Sequence, residues 1–177
     1  MVTLAPIIYK EKMKKVVIVM GSKSDFAIVK PACAILQEFG VEYAVRVLSA
    51  HRTPKEAVEL AESAASEGYG VIIGCAGKAA HLAGVLAAHT PLPVIGLPIS
   101  GSDLDGMDSL LSTVQMPTGI PVACVAINGA ANAALLAVQI FGVANTDLRE
   151  KIISYKEKAR QKVLADDSLI QQEINKE

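Results

Sequence analysis

The loop SAHRTP, at residues 49–54, places a histidine directly beside an arginine, between a β-like run and a helix-like run. A histidine side chain gains or loses a proton near neutral pH, so His51 can serve as both acid and base. Arg52 can hold phosphate oxygens with two parallel N–H groups, and Ser49 adds a further donor. The alternative is that His51 is a structural or surface residue, but its place at a strand end beside an arginine favours chemistry.

A second polar segment, GSKSD at residues 21–25, also follows an apolar run of strand length. Gly21 allows close backbone approach, Ser22 and Ser24 supply hydroxyls, and free amides at a helix N-terminus favour an anion such as phosphate. Asp25 would repel phosphate, but its carboxylate can accept two hydrogen bonds from a ribose diol. A sugar phosphate therefore fits better than free phosphate. The alternative is that Ser24 and Asp25 only cap a helix.

The third polar segment is CAGKAAHL at residues 75–82, again after an apolar run. It offers Gly77 for close backbone approach, Lys78 as a cation, and His81. Two roles remain open for His81, which either lines a pocket or packs beneath the following helix. His89 comes after that helix and is expected to be exposed.

The sequence carries no motif typical of a metal site, of nucleophilic catalysis or of dinucleotide binding. Cys75 and His81 are the only cysteine and histidine close together, and there is no HExxH, no CxxC and no clustered set of acids. GSKSD has neither the spacing of a Walker A loop nor the pattern GxGxxG, and no GxSxG elbow occurs. We therefore predict no metal site.

The elements that must position these segments alternate between strand-length apolar runs and longer helical runs. The predicted strands lie at residues 16–20, 42–48, 71–75, 93–97 and 122–127. Strands separated by helices predict a three-layer, doubly wound α/β fold with a parallel sheet. If the strand order is 2-1-3-4-5, the three polar segments follow adjacent strands and form one pocket at the switch point.

The helix boundaries follow from capping residues. Ser24 or Asp25 is predicted to cap the first helix, which Pro31 is expected to kink. Thr53, Pro54 and Glu56 supply the N-cap, the first-turn proline and the capping-box acid of the second helix, and Gly68 is predicted to end it.

Charge and cysteine content limit the class of protein. Among 177 residues, 17 Lys and Arg oppose 18 Asp and Glu, which gives a net charge of -1. Since no basic stripe is present, nucleic acid is not an expected partner. Cys33, Cys75 and Cys124 lie far apart in apolar runs, as free thiols do in a reducing compartment, so we predict the cytoplasm.

A long stretch, residues 109–146, contains no Asp, Glu, Lys or Arg. MPTGIP and INGAAN divide it into pieces too short to cross a bilayer, so no membrane association is predicted. Within it, the helix AANAALLAVQIFG carries only Asn132 and Gln139 as polar side chains. A helix so apolar must be covered on nearly every side, which predicts burial against other subunits.

The chain is predicted to form one domain. Residues 1–15 are an extension of low order, residues 16–166 are the domain with its C-terminal helix, and residues 167–177 are a tail. The last helix is amphipathic, and its apolar stripe consists of Leu148, Ile152, Tyr155, Ala159 and Val163.

Six segments carry a specific resemblance. They are VVIVMGSKSD, SAHRTP, AAHLAG, PLPVIGLPI, LDGMDSLLSTVQMPTGIPVACVAI and NAALLAVQIFG. Together they resemble the class I N5-carboxyaminoimidazole ribonucleotide mutases of de novo purine biosynthesis, over residues 16–166. The resemblance implies a flavodoxin-like fold, a homo-octamer whose final helix packs across subunits, a ribonucleotide substrate, and neither metal nor organic cofactor. The implied isomerase reaction moves a carboxylate from nitrogen to carbon through trapped carbon dioxide.

The resemblance also assigns roles. It implies that Ser22, Asp25 and Arg52 bind the ribose phosphate and that His51 is the catalytic acid and base. Ser49, with Gly77 and its neighbours, would complete the pocket. The segments SGSDLDGMD and QMPTG are candidate lids because of their glycine content.

Two positions depart from the family pattern. Lys78 stands where a second glycine is usual, and Ala83 stands where a proline is usual. Lys78 either attracts a carboxylate or points to solvent or another subunit. Class II enzymes, which carboxylate aminoimidazole ribonucleotide directly, usually carry SAHKT and lack AAHL. Arg52 and AAHL therefore favour the mutase, while Lys78 leaves the carboxylase open. A non-catalytic nucleotide-binding module, which would not need His51, is the third hypothesis.

Overall fold

A parallel sheet forms the centre of the chain in a computed structural model that describes residues 14–101 and 103–175. Its strands are β1 Lys15–Met20, β2 Tyr43–Val47, β3 Tyr69–Gly77, β4 Val94–Ile99 and β5 Ala123–Cys124. All pairings are parallel and the order is β2-β1-β3-β4-β5. The predicted doubly wound, flavodoxin-like α/β fold with order 2-1-3-4-5 is therefore confirmed.

Helices cover both faces of this sheet. They are α1 Phe26–Phe39, α2 Pro54–Ser63, α3 Leu82–Ala88, α4 Met107–Val114, α5 Ala130–Gly142 and α6 Thr146–Ile174. Helices α1, α5 and α6 share one core with the sheet, and α2 and α3 share the other. The sheet is thus the middle of three layers.

The central strand β1 shows how the sequence produces this arrangement. Val16, Ile18 and Met20 face the core shared with α1, while Val17 and Val19 face the opposite core. Since side chains alternate along a strand, a strand covered on both faces must be apolar at every position. Each fully buried valine or isoleucine contributes about 1.5–3 kcal/mol.

Ser22 caps the 3-10 turn that precedes α1, and Asp25, one of the two predicted caps, occupies the N-cap position of α1. A 3-10 turn, Lys23–Asp25, precedes α1, and the Ser22 hydroxyl accepts a hydrogen bond from the Ser24 amide. The Asp25 carboxylate reaches back to accept from the Ser22 amide at 3.1 Å, which completes a capping box. Asp25 occupies the N-cap position of α1 without a side-chain cap, because its carboxylate is engaged in the preceding turn.

Thr53 does not cap α2 with its side chain, so the predicted capping box with Glu56 is wrong. Pro54 is the first residue of α2, as predicted. The Thr53 hydroxyl instead accepts from the Ser49 amide at 2.8 Å and donates to the Ser49 carbonyl at 3.2 Å. It closes the loop at residues 49–53 rather than starting the helix.

Helix α1 runs through Pro31, whose side chain is exposed, and ends at Phe39 with Gly40 as its C-cap, as predicted. Other boundaries differ from the prediction. Helix α2 ends at Ser63, and Gly68 (φ 87°) stands in the turn before β3. Strand β5 is only two residues long, because it pairs with β4 only through Ala123 and Cys124.

Helix α5 is covered mainly by its own chain. Ala133, Ala134 and Ala137 are fully buried in the core that α5 shares with α1 and α6. The polar residues Asn132 and Gln139 are exposed. Because elements of the same chain cover this helix, its composition is not an argument for other subunits, contrary to the sequence-based reasoning.

Helix α6 packs on the domain only with its first half. Leu148 and Ile152 are buried, and the Tyr155 ring lies 5.7 Å from that of Phe39. Ala159 and the residues after it are exposed. The helix continues to Ile174, past the predicted boundary at residue 166.

The predicted N-terminal extension falls largely outside the described residues. Only Lys14 and Lys15 of residues 1–15 are described, and Lys15 begins β1. No helix in the described part of the chain has the length and apolar character needed to cross a membrane.

Candidate active site

The three polar segments meet in one cavity of about 760 Å³ at the carboxyl ends of β1, β2 and β3. This is the switch-point position at which doubly wound sheets bind ligands. The predicted residues that line it are Ser22, Ser24, Asp25, Ser49, His51, Arg52, Gly77, Lys78 and His81. Residues 59 positions apart in sequence, Ser22 and His81, are thereby brought to one cavity.

His51 and His81 are in direct contact. His51 Nε2 lies 2.8 Å from His81 Nδ1, and the rings meet edge to face with centroids 5.0 Å apart. Of the two placements that the sequence left open for His81, the structure shows the first: His81 lines the pocket and does not pack beneath α3. His89 lies elsewhere, beside Glu62 at 3.4 Å, and is partly exposed.

Arg52 spans the gap between the first two segments. Its Nη2 donates to the Gly21 carbonyl at 2.6 Å, and its Nε donates to the Ser49 hydroxyl at 3.4 Å. The Arg52 amide also donates to that hydroxyl, at 3.3 Å. These contacts hold the guanidinium across the carboxyl ends of β1 and β2. Its remaining N–H groups can donate to an anion.

The hydroxyls of the GSKSD segment form a small network. Ser24 Oγ donates to Ser22 Oγ at 2.8 Å and lies 3.2 Å from Asp25 Oδ1. Since Asp25 Oδ2 accepts from the Ser22 amide, both carboxylate oxygens have partners in this turn. The network fixes the direction of the segment and places one carboxylate on the cavity wall.

Gly77 and Lys78 form the mouth of β3, and their backbones explain why the residue types matter. A Cβ on Gly77 would lie 3.1 Å from the Ile99 carbonyl oxygen, a tight contact that β3 and β4 would have to relieve by a small shift. Lys78 has φ 57°, in the left-handed region that side chains disfavour.

Sequence reasoning missed Asn128, which fixes one edge of the cavity. Its side chain accepts from the Ser100 amide at 3.0 Å and donates to the Ser100 hydroxyl at 2.7 Å. Ser100 and Gly101, from the first candidate lid, line the cavity, whereas residues 115–119 of the second do not. The dipeptide Asn128-Gly129 is a turn signal that could have identified this residue, since Asn128 has φ 57°.

The apolar part of the wall comes from the sheet and neighbouring helices. It consists of Ile28, Ala50, Ala76, Ala79, Leu82 and Ile99. Such walls exclude water around the polar groups, which suits the retention of a small apolar molecule.

Cysteine chemistry is not part of this cavity. Burial raises the pKa of the Cys75 thiol far above its ordinary value, and burial also raises the pKa of Cys33 and of Cys124. Protonated thiols are poor nucleophiles and poor metal ligands. Among the described residues, no three His, Cys, Asp or Glu side chains cluster in a way that could hold a metal ion.

A second cavity, of about 540 Å³, lies at the opposite end of the sheet, beside the starts of β1, β2 and β3. It is lined by Lys15, Gln37, Gly40, Val41, Glu42, Tyr43, Ala44 and Tyr69. These residues include no histidine or serine, so the switch-point cavity is the better candidate for catalysis.

A doubly wound α/β protein with an arginine, hydroxyls and a histidine pair around its switch point belongs to the class that handles small phosphorylated metabolites. More narrowly, the chain belongs to the AIR carboxylase family, whose model matches residues 15–162. The resemblance inferred from the six segments is thereby confirmed.

Relatives and solved structures agree with this family. N5-carboxyaminoimidazole ribonucleotide mutase of Saccharolobus solfataricus is 52% identical over 153 residues, which cover 86% of this chain and 97% of that protein. The chloroplastic phosphoribosylaminoimidazole carboxylase of Vigna aconitifolia is 53% identical over 146 residues, which cover 82% of this chain but 26% of that protein. The crystal structure of PurE from Treponema denticola has a TM-score of 0.79 and 33% identity, covering 86% of this chain and 96% of that chain.

Proposed function

We propose that this protein is an N5-carboxyaminoimidazole ribonucleotide mutase of purine biosynthesis, which forms 4-carboxy-5-aminoimidazole ribonucleotide. The observation that carries the proposal is the His51–His81 contact of 2.8 Å, within a cavity that also contains Arg52 and Ser22. Arg52 and Ser22 are suited to holding a phosphate, and the histidine pair is suited to proton transfer. The curated relative from Saccharolobus solfataricus bears the same name.

The reaction needs one proton to move twice. His51 donates a proton to the carbamate nitrogen, the nitrogen–carbon bond breaks, and carbon dioxide and aminoimidazole ribonucleotide are released within the cavity. C4 of the imidazole then attacks carbon dioxide, and His51 accepts the proton that C4 loses. His51 returns to its starting state, so no net proton is gained or lost.

The other residues of the cavity bind the nucleotide in this proposal. Arg52 and Ser22 hold the phosphate, and Asp25 accepts from the ribose hydroxyls. Ser24, Ser49 and Gly77 complete the wall, and His81 orients His51. Neither a metal nor an organic cofactor takes part, since the proton relay and the trapped carbon dioxide account for every bond that changes.

We also propose that the protein works in the cytoplasm as a homo-oligomer, most simply an octamer. Val163, Ile170 and Ile174 of α6 continue the stripe that includes Ile152, at spacings of whole helical turns. Ile152 is buried on its own domain, whereas these three are 66%, 52% and 61% exposed. In this proposal, a second copy of the chain packs on the outer half of the stripe and buries these three side chains.

Helix α4 and the turn before it present a second exposed apolar face. Leu104, Met107, Leu111 and Val114 recur at spacings of three or four residues and are 64%, 51%, 50% and 46% exposed. A contiguous apolar stripe of this kind supports association with another protein surface. The mass of the protein in solution tests the assembly, and a monomeric mass would contradict it.

The activity is tested by supplying N5-carboxyaminoimidazole ribonucleotide to the purified protein and following the C4-carboxylated product. Turnover without added bicarbonate supports the mutase. Binding of the nucleotide without turnover would instead indicate a non-catalytic nucleotide-binding module.

Direct carboxylation of aminoimidazole ribonucleotide is the second candidate, because the relative from Vigna aconitifolia is named a carboxylase. Supplying aminoimidazole ribonucleotide with graded bicarbonate distinguishes the two reactions. Rapid carboxylation at low bicarbonate, with slow use of the carbamate, would favour the carboxylase over the mutase.

A further inference from the structure

Lys78 adopts a backbone conformation that its side chain does not favour. Its φ is 57°, and the other described non-glycine residues with positive φ are Asp105 and Asn128. Asp and Asn tolerate this region because their short polar side chains bond locally to the backbone, whereas lysine lacks that compensation. Residues in disfavoured backbone conformations cluster at ligand-binding and catalytic sites, so the conformation of Lys78 at the edge of the cavity indicates a function for its side chain.

The side chain has no partner within the described part of the chain. Lys78 is exposed, lines the switch-point cavity, and makes no hydrogen bond or ion pair with a described residue. By contrast, Asp25, the carboxylate on the cavity wall, has both oxygens engaged within its own turn. The ammonium group is therefore free to meet an anion that enters the cavity.

Lys78 and Arg52 lie on different sides of the cavity. Arg52 follows β2, Lys78 follows β3, and β1 lies between these strands in the sheet. Two strand spacings place their backbones on the order of 10 Å apart. Such an arrangement fits a ligand with two separate anionic groups, whereas a single phosphate would meet only one of the cations.

The two cations differ in what they recognise. The planar guanidinium of Arg52 suits two oxygens of a phosphate, while the ammonium of Lys78 is a compact point charge. Lys78 is also close in sequence to His81, on the same connection between β3 and α3, and both residues line the cavity.

We infer that Lys78 binds the carboxylate that the reaction transfers, and so distinguishes carboxylated from uncarboxylated aminoimidazole ribonucleotides. This inference rests on the proposed function, because it takes the ligand to be a ribonucleotide whose base carries a carboxylate. Arg52 holds the phosphate in both nucleotides. Lys78 adds a contact only to the carboxylated one.

Direct binding tests the inference without relying on turnover. The two probes are aminoimidazole ribonucleotide and its C4-carboxylated product, titrated by calorimetry into the wild type and into Lys78→Met, Lys78→Gly and Lys78→Arg. Loss of the charge should weaken the carboxylated nucleotide roughly five- to tenfold and the uncarboxylated one less than about twofold. Lys78→Arg should retain most of the preference.

The glycine variant separates charge from backbone strain. Since glycine adopts positive φ without penalty, Lys78→Gly should raise the melting temperature by about 2–4 °C, whereas Lys78→Met should not. Both should nevertheless lose the preference for the carboxylated nucleotide equally. The matched control is Lys23→Met, which removes an equal charge from an exposed lysine of the neighbouring turn that does not line the cavity.

The outcomes are distinct. Equal weakening of both nucleotides, or wild-type binding of both in Lys78→Met, would overturn the inference. Failure of the proposed function shows itself differently, as an absence of turnover in the wild type or as no binding of either nucleotide. Selective weakening of the carboxylated nucleotide supports the role of Lys78 whichever of the mutase and carboxylase reactions the protein performs.

Discussion

His51 Nε2 and His81 Nδ1 lie 2.8 Å apart, in the cavity that the serine-rich turn also lines. A contact of this kind holds one proton between the two nitrogens, so one ring donates and the other accepts. The contact fixes the direction of the His51 ring and leaves its Nδ1 available to a ligand. His81 is in this view a positioning residue, and His51 is the group that meets the substrate.

Replacement of the two histidines should have unequal effects. His51→Asn should lower kcat by about 10²–10⁴-fold with little change in nucleotide binding, because it removes the proton carrier but keeps a polar side chain. His81→Asn should lower kcat by only about tenfold with KM unchanged, because His51 keeps its ring but loses the contact that fixes its direction. Steady-state kinetics measure kcat and KM for both variants.

His89→Asn is the matched control, since His89 lies beside Glu62 outside the cavity. It should leave kcat and KM unchanged. Normal turnover in His51→Asn would refute the catalytic assignment, and a wild-type kcat in His81→Asn would refute its role in positioning His51.

Arg52→Lys should raise KM rather than lower kcat. A lysine keeps the charge but cannot form two parallel N–H bonds to a phosphate while also donating to the Gly21 carbonyl, as Arg52 does at 2.6 Å. The expected increase in KM is about 10–100-fold, the range of one or two charge-assisted hydrogen bonds. Inhibition by inorganic phosphate should weaken in parallel.

Arg46→Ala provides the comparison for Arg52, because Arg46 lies on the same strand–loop unit but is exposed and away from the cavity. Its KM should match the wild type. A KM for Arg52→Lys equal to that of Arg46→Ala would rule out phosphate binding by the guanidinium.

The sequence predicted the sheet and the site well where the signal is local and periodic. An uninterrupted apolar run such as residues 16–20 fixes a buried parallel strand, and the loops after such strands meet at one edge by topology alone. The topology alone therefore predicts that His51, Arg52 and Ser22 line one cavity, as they do in the structure.

The features that the sequence did not predict depend on partners distant in the chain or on competition between side chains. The Thr53 hydroxyl can bond either to its own helix or to Ser49, and the closure of the loop decides for Ser49. Asn128 meets Ser100 across the mouths of β4 and β5, 28 residues apart. The cover of α5 depends on the length and path of α6, which composition does not reveal.

Ser22→Ala should lower the stability of the protein more than Ser24→Ala does. The Ser22 hydroxyl accepts from the Ser24 amide at 3.3 Å, so its loss leaves that amide without its cap acceptor, whereas the Ser24 hydroxyl keeps Asp25 Oδ1 as an acceptor at 3.2 Å. Loss of a helix-capping hydroxyl costs about 1 kcal/mol, whereas loss of the exposed Ser24 hydroxyl should cost less than about 0.5 kcal/mol. Urea denaturation compares the two variants directly.

The pair is matched, because each variant removes one hydroxyl from the same turn. Equal losses of stability would contradict the capping role of Ser22. A larger loss in Ser24→Ala would indicate that Ser24, as the sequence suggested, is the true cap.

Val163→Lys and Ile170→Lys should reduce the size of the assembly. Both residues lie on the outer half of the α6 stripe and are 66% and 52% exposed, so a charge there costs the folded chain little but would be buried in a complex. Light scattering after gel filtration should show a smaller mass for both. Gln172→Lys, on the opposite face of the same helix, should leave the mass unchanged, and an effect of all three would point to loss of the helix itself.

The buried Cys75 thiol should cause the free energy of unfolding to fall as the pH rises above 9. Burial, with smaller contributions from the charges of Asp25 and Cys33, raises the pKa of this thiol well above its ordinary value of 9.0. The unfolded chain therefore loses this proton at a pH at which the folded chain still holds it. Since the unfolded state then binds fewer protons, the free energy of unfolding falls as pH rises.

The expected slope for one such thiol is about 1.4 kcal/mol per pH unit above pH 9, and there is no contribution below pH 8. Cys75→Ala removes this dependence, so the difference in unfolding free energy between wild type and variant should be constant below pH 8 and should change by about 1 kcal/mol between pH 9 and 10. The variant is expected to be less stable at pH 7, because it loses buried volume. The comparison therefore uses the slope of the unfolding free energy against pH rather than its value at one pH. All other titrating groups are the same in the two proteins, so the difference between the two slopes reports Cys75. Parallel curves from pH 7 to 10 would mean that the Cys75 thiol ionises as readily in the folded chain as in the unfolded one, which full burial in β3 argues against.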